Sequence, residues 1–411
     1  MSNIPPTVMG LLVVVFIAFL APFLIYITRM RFIPAMVLEI VLGFIVGPQG
    51  LHWVNVDALL SLLSEMGLCY LLFLSGMEVD LERLKGRLLV MMSSGFLLSL
   101  IIALLFGLAL QAIVPSISPF FIAILLSSTS LGIVMAILKD AGESTTDFGQ
   151  LVIAGSTVGE LGPITLLSLF FSGASSSLSS RVILLGIFFL MLLILSLAIF
   201  YVRRLTWFDD MLRRLEDTTA QLSVRASLLV LVAVVAVAVV FGAATILGAF
   251  LAGIMLKFAL KKSTEAHLRT KLEGLGFGFF VPIFFITSGL TFDLHALLAQ
   301  RSALLLVPIF LVALLVVRGV PALLYGERMG KQQMVIAALL QGTSLSFIVA
   351  ATTIGLQLGL ITHAIGAALL LAGLLSVIVY PFISLLLLQR SGGGKRSEAL
   401  LAKLSTELTE S

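Results

Sequence analysis

The sequence predicts an all-α polytopic membrane protein with about thirteen transmembrane helices. Apolar residues make up 60% of the 411 residues and charged residues only 11%, whereas an ordinary soluble domain carries about 25% charged residues. The mean hydropathy is +1.19, and thirteen apolar segments are long enough to reach across a bilayer. No basic stripe accompanies the net charge of +4, so nucleic acid is not expected as a partner.

The thirteen segments can be read directly from the apolar runs. They cover residues 8–28, 32–47, 57–77, 88–113, 119–139, 148–171, 182–202, 226–241, 244–260, 274–290, 302–325, 332–355 and 362–388.

One boundary depends on the distribution of Lys and Arg, because residues 226–260 could form one long helix or two helices joined near Gly242. With a break there, 22 Lys and Arg fall on one face of the membrane and two on the other, whereas without it the split is 12 to 12. Lys and Arg concentrate in cytoplasmic loops. The break is therefore favoured, which puts the N-terminus outside and the C-terminus in the cytoplasm, as in a bacterial inner (plasma) membrane protein.

Two pairs of motifs indicate an internal repeat. Residues 73–84 and 286–297 share Ser, Gly, Asp, Leu and Leu in register at an offset of 213, and Thr-Ser-Leu at 129–131 recurs at 343–345 at an offset of 214. Two matches at nearly one offset predict a duplicated unit. Each match links a helix to the seventh helix after it, so the two copies have opposite orientation. The sequence thus predicts two inverted six-helix repeats, an arrangement that lets secondary transporters open alternately to either side.

The repeat divides the chain into four predicted parts. Residues 1–173 form the first inverted repeat with helices 1–6, and residues 174–225 form the linker helix 7 with a cytoplasmic loop. Residues 226–389 form the second inverted repeat with helices 8–13, and residues 390–411 form a short cytoplasmic tail.

Small polar residues interrupt the apolar run at residues 127–130 and again at 341–344. Such side chains bond to the backbone where a helix unwinds. Equivalent breaks in inverted halves meet near the midplane, so Thr129 and Ser130 are expected beside Thr343 and Ser344 on discontinuous crossing helices. Half-helix ends offer carbonyl oxygens and dipole ends to an ion. The alternative is that these small residues only permit close helix packing.

Glu160, in the middle of the sixth segment, is the first candidate for function, because a carboxylate at that depth marks an ion or proton path. Ser156 lies four residues earlier, on the same side of the helix. A carboxylate, a hydroxyl and freed carbonyls suit a small alkali cation, and the carboxylate can exchange that cation for a proton. Arg318 is the one cation at comparable depth and keeps its proton. It is predicted to be a permanent counter-charge, with a merely structural salt bridge as the alternative.

Several motifs spread over about residues 32–385 carry a family resemblance. They are LEIVLGFIVGP at 38–48, LLFLSGMEVD at 71–80, SST at 127–129, Gly149-Gln150 with Glu160, LGAFLAG at 247–253, FFVPIFF at 279–285, Ser288-Gly289 and QGTS at 341–344. Together they resemble the monovalent cation:proton antiporter superfamily, in particular the branch of bacterial sodium/proton and potassium-efflux antiporters.

The resemblance implies a six-helix core domain that carries the ion site and moves against a dimerisation domain, in a homodimer. Glu160 matches the ion-binding acidic position, which is usually Asp, and Ser156 matches a hydroxyl ligand position. Thr129 matches the threonine of the unwound helix, so Thr129 and the adjacent Ser130 are expected to bind the ion or proton together with Glu160 and Ser156. Arg318 matches the basic residue of the equivalent helix. Gly159 departs from the pattern, since electrogenic members have a second Asp there and others have Asn or Gln. One-for-one exchange is therefore expected.

The sequence thus predicts a secondary active antiporter that exchanges Na⁺ or K⁺ for protons by alternating access. The alternatives are a transporter of the same fold for another solute, such as an organic anion symporter, and a channel or sensor derived from the fold. No nucleophile–base pair, zinc motif or phosphate loop is present, so neither an enzyme nor a cofactor is expected, and no metal other than the alkali cation.

Glu39, Glu65, Glu78 and Asp80 are further acidic residues in or beside the apolar segments. Glu39 and Glu65 lie within segments and are candidates for lining a funnel. Glu78 and Asp80 are expected in a solvated loop.

Overall fold

The computed structural model is all-helical over the residues that it describes, which are 5–28, 34–79, 86–115, 117–171, 178–203, 221–260, 262–325 and 329–409. The helices are α1 (Pro6–Thr28), α2 (Ala35–Val46), α3 (Ala58–Glu78), α4 (Arg87–Ile113), α5 (Pro119–Leu126), α6 (Leu131–Asp140), α7 (Asp147–Phe171), α8 (Leu178–Arg203), α9 (Leu222–Val240), α10 (Thr245–Ala259), α11 (Lys262–Leu275), α12 (Val281–Leu290), α13 (Leu294–Ala299), α14 (Arg301–Gly319), α15 (Lys331–Gln341), α16 (Ser346–Gln357) and α17 (His363–Thr409). A π-helical turn, Gly276–Phe280, joins α11 to α12, and a 3₁₀ helix, Val320–Tyr325, follows α14.

The predicted membrane crossings agree with these helices. Within the described residues, ten helical spans are long and apolar enough to cross a bilayer. Shorter apolar helices at Ala35–Val46, Gly186–Leu195 and Thr245–Phe258 cover the other three predicted segments. The prediction of an all-α, multi-pass integral membrane protein is therefore confirmed.

The break near Gly242 is present. α9 ends at Val240 and α10 begins at Thr245, and Gly242 has a φ of 71°, which glycine adopts without steric strain. The turn is tied to α7, because the Ser168 hydroxyl accepts a hydrogen bond of 2.9 Å from the Ala244 N–H.

The helices pack as two bundles. Bundle A contains α1, α2, α3, α9, α10 and α12, and bundle B contains α4 to α7 and α14 to α17. Each bundle takes helices from residues 1–173 and from residues 226–389, so the two predicted repeats interleave. α17 continues to Thr409 and so extends through residues that were predicted to form a separate tail.

Close helix crossings in bundle A explain one part of the repeated motif. A Cβ added to Gly76 of α3 or to Gly289 of α12 would lie 2.1 Å from a backbone oxygen of the facing helix. The facing helices contribute Gly253 and Gly43, where an added Cβ would lie 2.0 and 2.2 Å from a backbone oxygen. These positions need glycine because the backbones touch. The repeated Ser-Gly pairs therefore mark equivalent crossings in the two halves.

Candidate functional site

The two broken helices meet in the interior of bundle B. Residues 127–130 separate α5 from α6, and residues 342–345 separate α15 from α16. The Ser130 N–H donates to the Thr343 carbonyl at 2.9 Å, and the hydroxyls of Ser128 and Ser344 lie 2.6 Å apart. All four residues are buried. The expected proximity of the two interruptions is thus observed.

Backbone groups freed by the breaks bond mainly across the crossing. The Thr129 hydroxyl donates to the Gln341 carbonyl at 2.5 Å, and the Leu345 N–H donates to the Ser130 hydroxyl at 3.0 Å. The Thr129 N–H donates to the Gly159 carbonyl at 3.0 Å. The carbonyls of Gln341 and Thr343 therefore already accept hydrogen bonds, and these bonds hold the two broken segments together.

Glu160 is a residue of α7, and its carboxylate lies at the N-terminal end of half-helix α6. Its side chain is 1% exposed, and Oε2 accepts a hydrogen bond of 3.2 Å from the Leu131 N–H. The Ser75 side chain of α3 lies beside this carboxylate. The positive end of the α6 dipole stabilises the negative charge. The carboxylate is therefore held by bundle B and touched by bundle A.

A cavity of about 440 Å³ lies between the two bundles. Its polar lining includes Glu160, Ser130, Ser75, Glu78 and Lys139, together with Arg269 and Glu273 of α11, and apolar side chains such as Leu71 and Ile133 cover the rest. Because its lining runs from the buried Glu160 carboxylate to partly exposed charged side chains, the cavity can lead a small ion to that carboxylate.

Glu78 is a site residue that the sequence interpretation missed. It was placed in a solvated loop, but it is the last residue of α3 and its side chain is only 15% exposed. Arg269 Nη2 lies 3.0 Å from Glu78 Oε1, and Arg269 Nε lies 2.5 Å from Glu273 Oε1. Glu78 Oε2 is buried without a hydrogen-bond partner in the described part of the chain. Asp80 lies outside the described residues.

Two of the three predicted hydroxyl ligands, Ser156 and Thr129, differ in their surroundings. Ser156 is fully buried, and its hydroxyl has no hydrogen-bond partner among the described residues, so it stays a candidate ligand one turn from Glu160. The Thr129 hydroxyl accepts from Arg318 Nε at 2.7 Å and donates to Gln341. These two contacts use the proton and one lone pair of the Thr129 hydroxyl, so a second lone pair remains and its role as an ion ligand stays a prediction.

Arg318 is 2% exposed, and its guanidinium donates hydrogen bonds to uncharged oxygen atoms. Besides Thr129, its guanidinium donates to the Ser99 hydroxyl and to the Gly155 carbonyl, each at 3.1 Å. A Cβ added to Gly159 would lie 2.3 Å from Arg318 Nη2. The guanidinium therefore fills the space where a side chain at residue 159 would stand, and its role as counter-charge stays a prediction.

The two candidate funnel residues are on α2 and α3. Glu39 is 5% exposed in the middle of α2. Glu65 is exposed on α3, about 20 Å along that helix from Glu78 at 1.5 Å per residue. Neither is among the residues that line the cavity with Glu160, so no described contact connects them to the site.

Two helical bundles, crossing half-helices and a buried carboxylate in a cavity between the bundles define a secondary transporter. The chain belongs to the family described as sodium/hydrogen exchanger, transmembrane, whose sequence profile matches residues 15–389. This membership confirms the predicted cation/proton antiporter superfamily. It also confirms that the chain belongs to a class of transporters and not of enzymes.

Individual relatives agree with this assignment. The chain is 29% identical to Bacillus subtilis YjbQ over 91% of its own length and 62% of that protein, so it spans less than two thirds of this relative. It is 25% identical to the Na⁺/H⁺-K⁺ antiporter GerN of Bacillus cereus, over 85% of this chain and 88% of GerN.

A solved structure supports the fold. The sodium proton antiporter MjNhaP1 of Methanocaldococcus jannaschii superimposes with a TM-score of 0.67, over 95% of this chain and 98% of that chain. The sequence identity is 16%, so this similarity shows the fold alone.

Proposed function

We propose that this chain exchanges a monovalent cation, Na⁺ or K⁺, for protons by alternating access, and that Glu160 couples the two fluxes. The supporting observation is the position of this carboxylate, which is buried at the crossing and lines the cavity between the bundles. A carboxylate that binds either a cation or a proton, but not both, makes one flux depend on the other. A site built on a carboxylate also repels an anionic solute, which argues against an organic anion symporter.

The choice of ion is left between Na⁺ and K⁺. GerN is named for both ions, and Glu in place of Asp gives the ligand a longer arm. Proteoliposomes with an imposed pH gradient test the proposal. Addition of Na⁺ or K⁺ is expected to collapse the gradient in vesicles that contain the protein and not in empty ones, whereas a gradient that neither cation affects would contradict antiport.

The topology proposed for the chain places the cavity on the cytoplasmic side. Lys139, Lys257 and Arg269 lie around its charged lining, and Lys257 donates to the Glu78 carbonyl at 3.2 Å. Concentrated basic residues belong on the cytoplasmic face. The described conformation is then open to the cytoplasm, with the N-terminus outside, in a bacterial inner membrane. A homodimer is proposed from the family resemblance.

Glu78→Gln is expected to weaken cation uptake without abolishing exchange. The substitution leaves the positive charge of Arg269 on the cation path, so we expect KM for the cation to rise roughly tenfold, which corresponds to about 1.4 kcal/mol of binding free energy. The measurement is the rate of proton movement in proteoliposomes as a function of cation concentration. Glu273→Gln removes the same charge from the same Arg269, but from a side chain that is 37% exposed. It should have a smaller effect, since exposed charges are screened. Equal KM values for Glu78→Gln and the unaltered protein would exclude Glu78 from the path.

Exchange is expected to be electroneutral. Arg318 fills the space beside Gly159 where electrogenic relatives have a second acidic residue, and it keeps its charge throughout. Glu78 is paired with Arg269. Glu160 alone is then left to carry one proton or one monovalent cation across. Reconstituted protein should move protons without generating a membrane potential, at a rate that an imposed potential leaves unchanged. A sustained current on a solid-supported membrane would contradict this ratio while leaving antiport intact.

A further inference from the structure

A second and much smaller cavity lies at the opposite face of the two bundles. It has a volume of about 40 Å³, and its polar lining consists of Ser288, Thr291, Asp293, Thr352, Thr353 and His363. Asp293 accepts a 2.8 Å hydrogen bond from Gln49, which lies in the loop that precedes α3. Because α3 begins after that loop and ends at Glu78, the small cavity and the large cavity lie at opposite ends of α3.

The linings of the two cavities correspond through the internal repeat. The repeated motifs set offsets of 213 and 214 residues, and at these offsets four residues of the large cavity match four residues of the small one. The pairs are Ser75 with Ser288, Glu78 with Thr291, Met135 with Val349, and Lys139 with Thr353. Since the repeats are inverted, equivalent residues are expected to line equivalent paths that open to opposite faces.

A single buried apolar cluster borders both cavities. Two of its members, Leu71 and Ile133, also line the large cavity, and two others, Val349 and Leu370, also line the small one. Between them the cluster includes Phe284, Phe285, Leu345 and Leu374, from both bundles. Apolar side chains offer no ligand to an ion, so in the described conformation the cluster closes the path between the small cavity and Glu160.

The Thr352 hydroxyl in the small cavity is available to bind a ligand. Thr352 is 4% exposed and lines the cavity, yet its hydroxyl has no hydrogen-bond partner in the part of the chain that the structure describes. A buried hydroxyl without a partner is unfavourable. Hydroxyl and carboxylate oxygens, such as those of Thr352, Ser288 and Asp293, are the ligands that hard cations prefer.

We propose that the small cavity is the closed second mouth of the ion path. Alkali cations pass Thr352 and Ser288 on their way between this mouth and Glu160 when the apolar cluster separates. This assignment rests on the proposed antiport function and adds the residues of the route on the far side. In the proposed topology that side is external. Thr291 and Thr353 occupy the positions in its mouth that Glu78 and Lys139 occupy in the cytoplasmic mouth.

Cysteine accessibility tests this assignment, because Cys69 is the only cysteine of the chain. In a Cys69→Ser parent, Thr352→Cys is treated with a positively charged, membrane-impermeant methanethiosulfonate reagent added to one face of membrane vesicles at a time. The thiol is expected to react from the face that bears Asp293, and its modification should cause loss of exchange. Ala136→Cys, in the lining of the large cavity, should react from the opposite face.

Two controls make the outcome decisive. Leu305→Cys, at a residue 66% exposed on the apolar surface of α14, should not react with a charged reagent from either face. If Thr352→Cys does not fold, Thr353→Cys replaces it, since Thr353 lines the same cavity. Normal exchange by the unmodified variant with no labelling, or with labelling from the same face as Ala136→Cys, would overturn the second mouth alone. Absence of exchange by the unaltered protein in the same vesicles would instead overturn the proposed function.

Discussion

Glu160→Gln should abolish cation/proton exchange and leave the protein folded. The amide has the shape of the carboxylate, and its carbonyl oxygen can still accept the hydrogen bond from the Leu131 N–H. It can neither balance the charge of a cation nor release a proton, so the step that couples the two fluxes is lost. Proton movement driven by Na⁺ or K⁺ in proteoliposomes is expected to fall to the level of empty vesicles.

The matched control is Asp147→Asn, which makes the same acid-to-amide change at an exposed residue of α7 that does not line the described cavity. It should exchange at close to the unaltered rate. Thermal unfolding in detergent checks that both variants are folded. Near-normal exchange by Glu160→Gln would remove this residue from the coupling step.

Gly159→Ala is expected to lower both stability and exchange strongly. The new Cβ would lie 2.3 Å from Arg318 Nη2 and 3.2 Å from the Thr129 hydroxyl, so the guanidinium must move. Overpacking of this kind costs about 1–3 kcal/mol. Each buried hydrogen-bonding group that loses its partner when Arg318 moves adds about 1–3 kcal/mol. The melting temperature in detergent and the exchange rate in proteoliposomes measure the two effects.

The control for this substitution is Gly186→Ala on α8, where an added Cβ would meet no atom within 4 Å. Alanine is the better helix former by up to about 1 kcal/mol, so this variant should be as stable as the unaltered protein or slightly more stable. Equal melting temperatures for Gly159→Ala and Gly186→Ala would show that Arg318 is not confined by residue 159.

The positions of the helices could be predicted from hydropathy and charge, because the bilayer constrains both. A crossing segment must be apolar over its whole length, and Lys and Arg collect on one face. That is why the break near Gly242 could be predicted from charge counts alone. The interruptions at residues 127–130 and 342–345 were also predictable, since small polar residues stand out in an apolar run and recur at one offset.

The contacts within the site were less predictable, because they depend on tertiary packing. Glu78 follows an apolar segment, which normally places a residue in water. Here Glu78 forms an ion pair with Arg269 of α11, a helix distant in sequence, and its side chain lines the cavity. The sequence cannot show that Arg318 and Gln341 both reach the Thr129 hydroxyl. Nor can it show that the carbonyls of Gln341 and Thr343 accept hydrogen bonds from the opposite broken segment.

The most direct test of the central claim is the number of protons released when a cation binds. Calorimetric titration of the purified protein with Na⁺ and with K⁺, in two buffers of different ionisation enthalpy, measures that number. If Glu160 binds the cation and the proton in competition, the unaltered protein should release protons as one of these cations binds, approaching one per cation at low pH, and Glu160→Gln should release none. Cation binding without proton release at every pH where the protein is folded, or unchanged release in Glu160→Gln, would contradict the account.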